Sequence, residues 1–260
     1  MCGRYGVKVT FSTLAKLLRA EPIEEAEWGP DLNVAPTDPA PVLVAGDAGP
    51  HLALFRWGLV PFWAKSPREG ARMINARAES LADKPAFREA FATRRLLVPA
   101  SGWYEWTAAP TDLPPSASAE DKKPTPHWIH PPSSGPAPSA PEQLVLFAGL
   151  WAKWRDEARQ ETLRTFTIVT TDASPSTRAV HDRMPVVLDA AGQAAWLDPS
   201  TPPEALRALL VPYAGPLVHH RVGKAVNNVR ADGPALILPV DETTGELRAE
   251  AARVQGKLAF

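Results

Sequence analysis

Cysteine is almost absent from this sequence: Cys2 is the single thiol in 260 residues. One cysteine excludes an internal disulfide framework and a cysteine-based zinc site, and no metal or cofactor is expected. Net charge is almost absent as well. Lys+Arg 28 against Asp+Glu 29 leaves -1, so no global basic field draws the chain to DNA or to a membrane. Long apolar runs are missing too. The longest, Leu144 to Trp151, falls far short of the ~20 residues that a membrane span needs. The opening MCGRYGVKVT has no apolar stretch of the secretory type, and Gly follows Cys2 rather than Met1, which excludes a myristoylation signal. A soluble cytoplasmic monomer with no membrane partner is expected.

Proline, in contrast, is abundant, with 29 residues at roughly twice its usual ~5% share. Ten of the 36 residues from Thr107 to Glu142 are proline, mixed with Ser, Ala and charges. This tract reads as a surface insertion between two neighbouring strands, Leu96 to Trp106 and Leu144 to Trp154. Within it, His127 and Trp128 offer one anchored contact. Helices are predicted at Phe11 to Leu18, Lys84 to Thr93, Ala190 to Trp196 and Pro203 to Leu210. Strands are predicted at His51 to Leu59, Thr165 to Thr170, His219 to Val222 and Ala235 to Pro239. Strands dominate without regular β-α alternation. The expected fold is α+β, a single domain on a mainly antiparallel or mixed, barrel-like sheet with short flanking helices. It spans 2–245, with the insertion at 107–142 and a C-terminal tail at 246–260.

The near-zero net charge hides segregation. His51 to Trp106 holds nine Lys/Arg and five Asp/Glu, residues 221–230 add three positive charges and no negative one, and Glu21 to Asp31 carries five acidic residues. That pattern fits a confined polyanion site, and it fits ordinary solvated faces equally well.

Cys2 carries the most chemical information. With Met1 removed, it presents a free α-amine and a thiol on adjacent carbons. The α-amine titrates near ~7.7–8.0 against ~10.4 for lysine, so at neutral pH it attacks aldehydes readily. The thiol then adds to the resulting imine and closes a five-membered thiazolidine, a step favoured because it is intramolecular. Position alone does not separate such a trap from an idle second-position cysteine. Other residues follow in order: Arg4 in MCGRY, Trp63 in WGLVPFWA, Asn75 and Arg77 in NARAE, Glu105 in GWYEW, and His181 in HDRMP. Singly, Glu105 reads as a surface residue of a strand, His181 with Asp182 and Arg183 as a loop ion cluster, and Asn75 to Glu79 as a helix start. Most of the nine Trp read as core, with Trp63 and either Trp103 or Trp106 near a ligand.

Taken together, MCGRY, WGLVPFWA, NARAE, GWYEW and HDRMP resemble the SOS-response-associated peptidase family, the abasic-site-processing proteins. The resemblance runs from Cys2 to about Val240. It implies an enzyme that binds single-stranded DNA containing abasic sites and links its N-terminal cysteine to the ring-opened sugar as a thiazolidine, shielding the lesion. It also implies removal of the protein's own initiator Met, and a nucleoid association when DNA is bound. Cys2 then matches the covalent nucleophile, Glu105 the acidic residue of GWYEW and His181 the histidine of HDRMP, two residue types suited to proton transfer, and Asn75 and Arg77 the groups that hold sugar and phosphate. Arg4 matches a phosphate contact, and Trp63 with Phe62 a wedge between bases. A different reading stays open: Cys2, Glu105 and His181 as a cysteine-type or N-terminal-nucleophile peptidase acting on proteins. Lyase chemistry through the imine is a further alternative.

Overall fold

The structure is a computed structural model that describes residues 2–24, 26–47, 49–108, 123–132, 143–157, 160–241 and 246. Its strands, in chain order, are β1 (Arg4–Val7), β2 (Glu21–Pro22), β3 (Asp31–Val34), β4 (Pro39–Val44), β5 (His51–Trp57), β6 (Asn75–Arg77), β7 (Arg95–Ala100), β8 (Gly102–Thr107), β9 (Thr125–His130), β10 (Val145–Asp156), β11 (Glu161–Asp172), β12 (Arg183–Pro185) and β13 (Val218–Arg221). Four short helices flank them: α1 (Phe11–Leu17), α2 (Pro85–Thr93), α3 (Ala190–Leu197) and α4 (Pro203–Ala208). The α+β class expected from the sequence holds. No helix among the described residues is long and apolar enough to cross a membrane.

Two sheets carry the fold. In the larger, β11, β10, β7, β4 and β5 pair in that order, and β5 returns to β11 through a parallel pairing of Arg56 with Thr165 and Trp57 with Phe166, closing a barrel. Closure removes the exposed edges that an open sheet of this length would leave. β6 and β12 extend the pairing of β11 beyond the ring, and β2 adds to β5. The second sheet is open, in the order β13-β9-β8-β1-β3. Its inner face meets the barrel through an aromatic cluster. Tyr5 contacts Trp57 edge-on at 5.2 Å, Trp103 contacts Phe147 edge-on at 5.7 Å, and Trp57 stacks with Phe166 at 6.4 Å. Such large buried rings dominate the apolar stabilisation of a core.

The helices begin where the sequence provides caps. The Thr10 hydroxyl accepts from the Thr13 amide at the start of α1, and Asp189 accepts from Gly192 at the start of α3. α2 and α4 open on Pro85 and Pro203, whose missing N–H costs nothing at a first helical position.

Several expectations are corrected. The apolar run Leu96 to Trp106 is two strands in different sheets. It breaks at Ser101, whose amide donates to Gly6 O at 2.8 Å and whose hydroxyl accepts from Lys8 N at 3.0 Å. Ala235 to Pro239 is a 3-10 turn over Pro234–Ile237 rather than a strand, with Gly233 at φ 108° before it. Proline at the first position of that turn has no N–H for a ladder. Asn75 to Arg77 is strand β6, and only Ala78–Ser80 turns helically. The proline-rich tract contains β9, a full member of the open sheet between β8 and β13. Its remainder, 109–122 and 133–142, lies outside the described residues, as do 242–245 and 247–260.

Candidate active site

Pairing of β1 with β8 sets Arg4 opposite Tyr104, so the chain leading into β1 passes beside Glu105. Cys2 is fully buried there, with its thiol 3.8 Å from the Arg4 carbonyl. Asn75 reaches the same point from the barrel, because β6 lies parallel to β11 with Asn75 opposite Ile168. Its side-chain amide donates to the Cys2 carbonyl at 2.7 Å. The Asn75 oxygen is buried and has no hydrogen-bond partner among the described residues. A buried amide oxygen without a donor costs free energy, and a ligand hydroxyl would satisfy it.

Glu105 is 2% exposed. Its carboxylate lies 4.0 Å from His181 Nε2, and burial raises it from an ordinary 4.5 to about 7. Such a value puts the carboxyl near its midpoint at neutral pH, where a group can both give and take a proton. His181 sits in the loop between β11 and β12. Burial pulls it below its ordinary value, with Asp182 opposing that effect. In the neutral ring, Nδ1 accepts from the Arg183 amide at 2.9 Å, which leaves the proton on Nε2, facing Glu105. When the ring is protonated, Nδ1 instead has the Asp182 carboxylate at 2.8 Å. Both protonation states therefore have a partner. Burial, with the charge of Glu105 second, holds the Cys2 thiol well above its usual range, so the sulfur is protonated in the resting protein.

Arg183 fixes this loop. Its guanidinium binds Glu79 through two nitrogens at 2.6 and 3.0 Å, Asp172 at 2.9 Å, and the Thr170 carbonyl at 2.9 Å. The histidine loop is thus tied to the turn that follows Arg77. Arg77 itself is exposed, two residues beyond Asn75 on β6. Trp63 is 49% exposed and Phe62 67%, in edge-on contact at 4.9 Å. Their loop is pinned on both sides. Val60 N donates to Thr165 Oγ1 at 2.8 Å, and Trp154 Nε1 donates to the Ala64 carbonyl at 2.8 Å.

Arg4 stands differently. Strand alternation puts its side chain on the opposite face of the sheet from Glu105. There it donates to Asn33 Oδ1 at 2.7 Å and to the Val226 carbonyl at 2.9 Å. Trp103 is fully buried in the inter-sheet core, which removes it from the tryptophans placed near a ligand. Trp106 is half-buried and donates to Asn227 Oδ1 at 2.9 Å. Cys2, Asn75, Glu105 and His181 therefore form one group, while Arg77 and Trp63 present themselves at the surface. Sequence reasoning missed Asn33, and it read His127 only as an anchored contact of the proline-rich tract. His127 stands directly across from Glu105 on β9, and only the alternation within TPHWIH could have signalled it. An apolar cavity of about 530 Å³, lined by Leu18, Leu43, Leu97, Leu146, Ala190 and Leu197, shares no residue with this group. It offers no titratable side chain except Asp198.

The sequence pattern of the SOS response associated peptidase (SRAP) family matches residues 1–229. The chain belongs to the SRAP family. It is 34% identical over 240 residues to the abasic site processing protein YoqW of Bacillus subtilis (strain 168), covering 91% of this chain and 99% of that protein. Identity to the abasic site processing protein YedK of Escherichia coli (strain K12) is 28% over 248 residues, covering 92% of this chain and all of YedK. The same fold is seen in a solved structure of a protein from Bacteroides thetaiotaomicron, with a TM-score of 0.73 at 22% identity and coverage of 92% of this chain and 100% of that one.

Proposed function

We propose that this SRAP protein processes abasic sites in single-stranded DNA by forming a covalent thiazolidine with Cys2. The observation that carries the reading is the convergence of Cys2, Asn75, Glu105 and His181, since an amine, a thiol and a proton-transfer pair are what aldehyde capture requires. The abasic-site-processing names of the relatives support the same substrate.

The chemistry follows from the residues. The abasic sugar rests mainly as a closed hemiacetal. His181 moves the proton between the C1 hydroxyl and the ring oxygen, which opens the sugar to the aldehyde. Once Met1 is gone, the Cys2 amine forms the C–N bond at C1, giving a carbinolamine. Glu105, half protonated at neutral pH, delivers its proton to the departing hydroxyl, and water leaves as the imine forms. The thiol sulfur then adds to the imine carbon. The C=N electron pair moves to nitrogen, and the thiol proton follows it through the Glu105 carboxylate. No thiolate has to exist beforehand, which suits a sulfur whose burial keeps it protonated. The sum is aldehyde plus aminothiol giving thiazolidine plus one water. Asn75 holds the Cys2 carbonyl, so amine and thiol move about a fixed backbone point. Arg77 meets phosphate, and Phe62 with Trp63 stack against bases next to the lesion.

Single-stranded DNA bearing one abasic site, incubated with the mature protein, should give a gel-shifted adduct that survives denaturation. Cys2→Ala should give none. A protein that cleaves peptides but leaves abasic DNA unmodified would support the peptidase reading instead.

A further inference from the structure

The catalytic carboxylate does not stand alone on its sheet. β8, β9 and β13 pair in register so that Glu105 faces His127 and His127 faces Arg221. Residues paired across strands share one face. A row therefore runs Glu105, His127, Arg221 from the catalytic group to the edge strand. His219, two residues before Arg221 on β13, joins the same face, and its ring lies 5.5 Å from that of His127. The opposite face carries Trp128, His130 and His220, packed toward the 3-10 turns over 224–227 and 234–237.

We propose that His127, His219 and Arg221 form a phosphate subsite that seats the DNA backbone on one side of the abasic nucleotide. The inference rests on the single-stranded DNA reading above and extends it away from Arg77 and Trp63. Charge and geometry support it. Apart from Glu105, the row holds cations or potential cations. Desolvation and then the charges of His219, Arg221 and His220 hold the half-buried His127 down at about 4. An anion seated among these groups reverses that repulsion and lets the ring donate to a phosphate oxygen. His127 Nδ1 is buried without a hydrogen-bond partner among the described residues. His219 is exposed and Arg221 half-buried on β13, the last strand of its sheet, where Val240 N donates to the Arg221 carbonyl at 3.1 Å, so a polymer reaches the two side chains from the face of the sheet. Spacing also suits a continuous strand. Neighbouring β-strands lie ~4.8 Å apart, so Arg221 stands about 10 Å across the sheet from Glu105. That is close to the separation of phosphates one or two nucleotides apart.

The test measures binding to a single-stranded oligonucleotide carrying a tetrahydrofuran abasic analogue. This analogue has no aldehyde and cannot crosslink. Fluorescence anisotropy is followed across a salt series for wild type, His219→Ala, Arg221→Ala and the double variant. The expected result for the double variant is affinity about tenfold weaker, with the salt slope reduced by about 0.7 for each lost phosphate contact. The crosslinking rate at saturating abasic DNA should be unchanged, because none of the substituted groups touches C1. Arg221→Lys should recover most of the affinity. An oligonucleotide ending at the lesion on one side should erase the difference between wild type and variant, and the opposite truncation should keep it. Unchanged affinity and slope in the double variant overturn the proposal. So does loss of inorganic phosphate binding, followed by 31P NMR, with DNA affinity intact, since that marks a small-ion site. If wild type forms no adduct with abasic DNA at all, the functional reading fails, whatever the variants do.

Discussion

The side-chain amide of Asn75 donates to the carbonyl oxygen of Cys2 at 2.7 Å. This bond joins the barrel, through β6, to the open sheet, through the segment entering β1, and it does so at the residue proposed to supply both nucleophiles. Asn75→Ala should slow adduct formation by roughly 10- to 100-fold, the scale expected when a reacting group loses its orientation. Thermal stability should fall little, because one hydrogen bond is worth about 1 kcal/mol net. Rates of trapping and melting curves on the same preparation separate the two effects. A melting temperature that collapses along with the rate would make Asn75 structural.

In the proposed reaction Glu105 sets the pH profile. Its acid form, present below about 7, expels water from the carbinolamine, while the Cys2 amine must be unprotonated, which favours pH above ~7.7–8.0. The two demands oppose each other, so the adduct rate should trace a bell with its maximum between those values. Glu105→Gln has no proton to give. It should lose most of the rate and the descending alkaline limb with it. Initial rates from pH 5.5 to 9.5 decide the matter, and an unchanged alkaline limb in Glu105→Gln would remove Glu105 from the proton path.

The same carboxyl costs stability. Its folded value of about 7 exceeds the ordinary 4.5, so between those pH values the folded state binds more protons than the unfolded chain. Stability therefore falls as pH rises through that window, by up to about 3 kcal/mol at 1.36 kcal/mol per pKa unit. Glu105→Gln should flatten this dependence and be the more stable protein at pH 8. Denaturant midpoints at pH 5 and pH 8 read the difference, and parallel pH dependences for the two proteins would contradict it.

Gly58 opens the loop that carries Phe62 and Trp63. It adopts φ 113°, and a β-carbon there would stand 2.6 Å from the Gly70 carbonyl oxygen. A β-carbon on Gly70 would in turn lie 2.3 Å from the Gly58 oxygen. Gly58→Ala should cost at least ~2 kcal/mol, from backbone strain and from the clash together. The double variant should cost less than the two singles combined, since each already breaks the same close approach. Full additivity in a double-mutant cycle would mean that the two glycines are independent.

Much of the proposed reactive group was legible in the sequence, because aldehyde chemistry is written in residue types. An amine beside a thiol at Cys2, a carboxyl at Glu105 and an imidazole at His181 keep their meaning without coordinates. The short helices were legible too, from caps such as Thr10 and from Pro85. What stayed hidden depends on pairing between distant segments. Asn75 looks like a helix cap until β6 is laid against β11. Trp103 looks available for stacking until the open sheet closes over the barrel and buries it against Phe147. His127 lies within a proline-rich tract whose composition masks a six-residue strand, and its place across from Glu105 exists only in the register. Arg4 shows the same limit. The strand that brings its backbone to the site turns its side chain toward Asn33.

The most direct measurement is intact and peptide-level mass spectrometry of the mature protein after reaction with single-stranded DNA bearing one abasic site. The expected product has the combined mass of protein without Met1 and oligonucleotide, less one water, with the modification on the N-terminal peptide at Cys2. It should also resist borohydride, because a closed thiazolidine has no imine to reduce. An adduct of equal yield in Cys2→Ala, or one mapped to a lysine, would contradict the central claim.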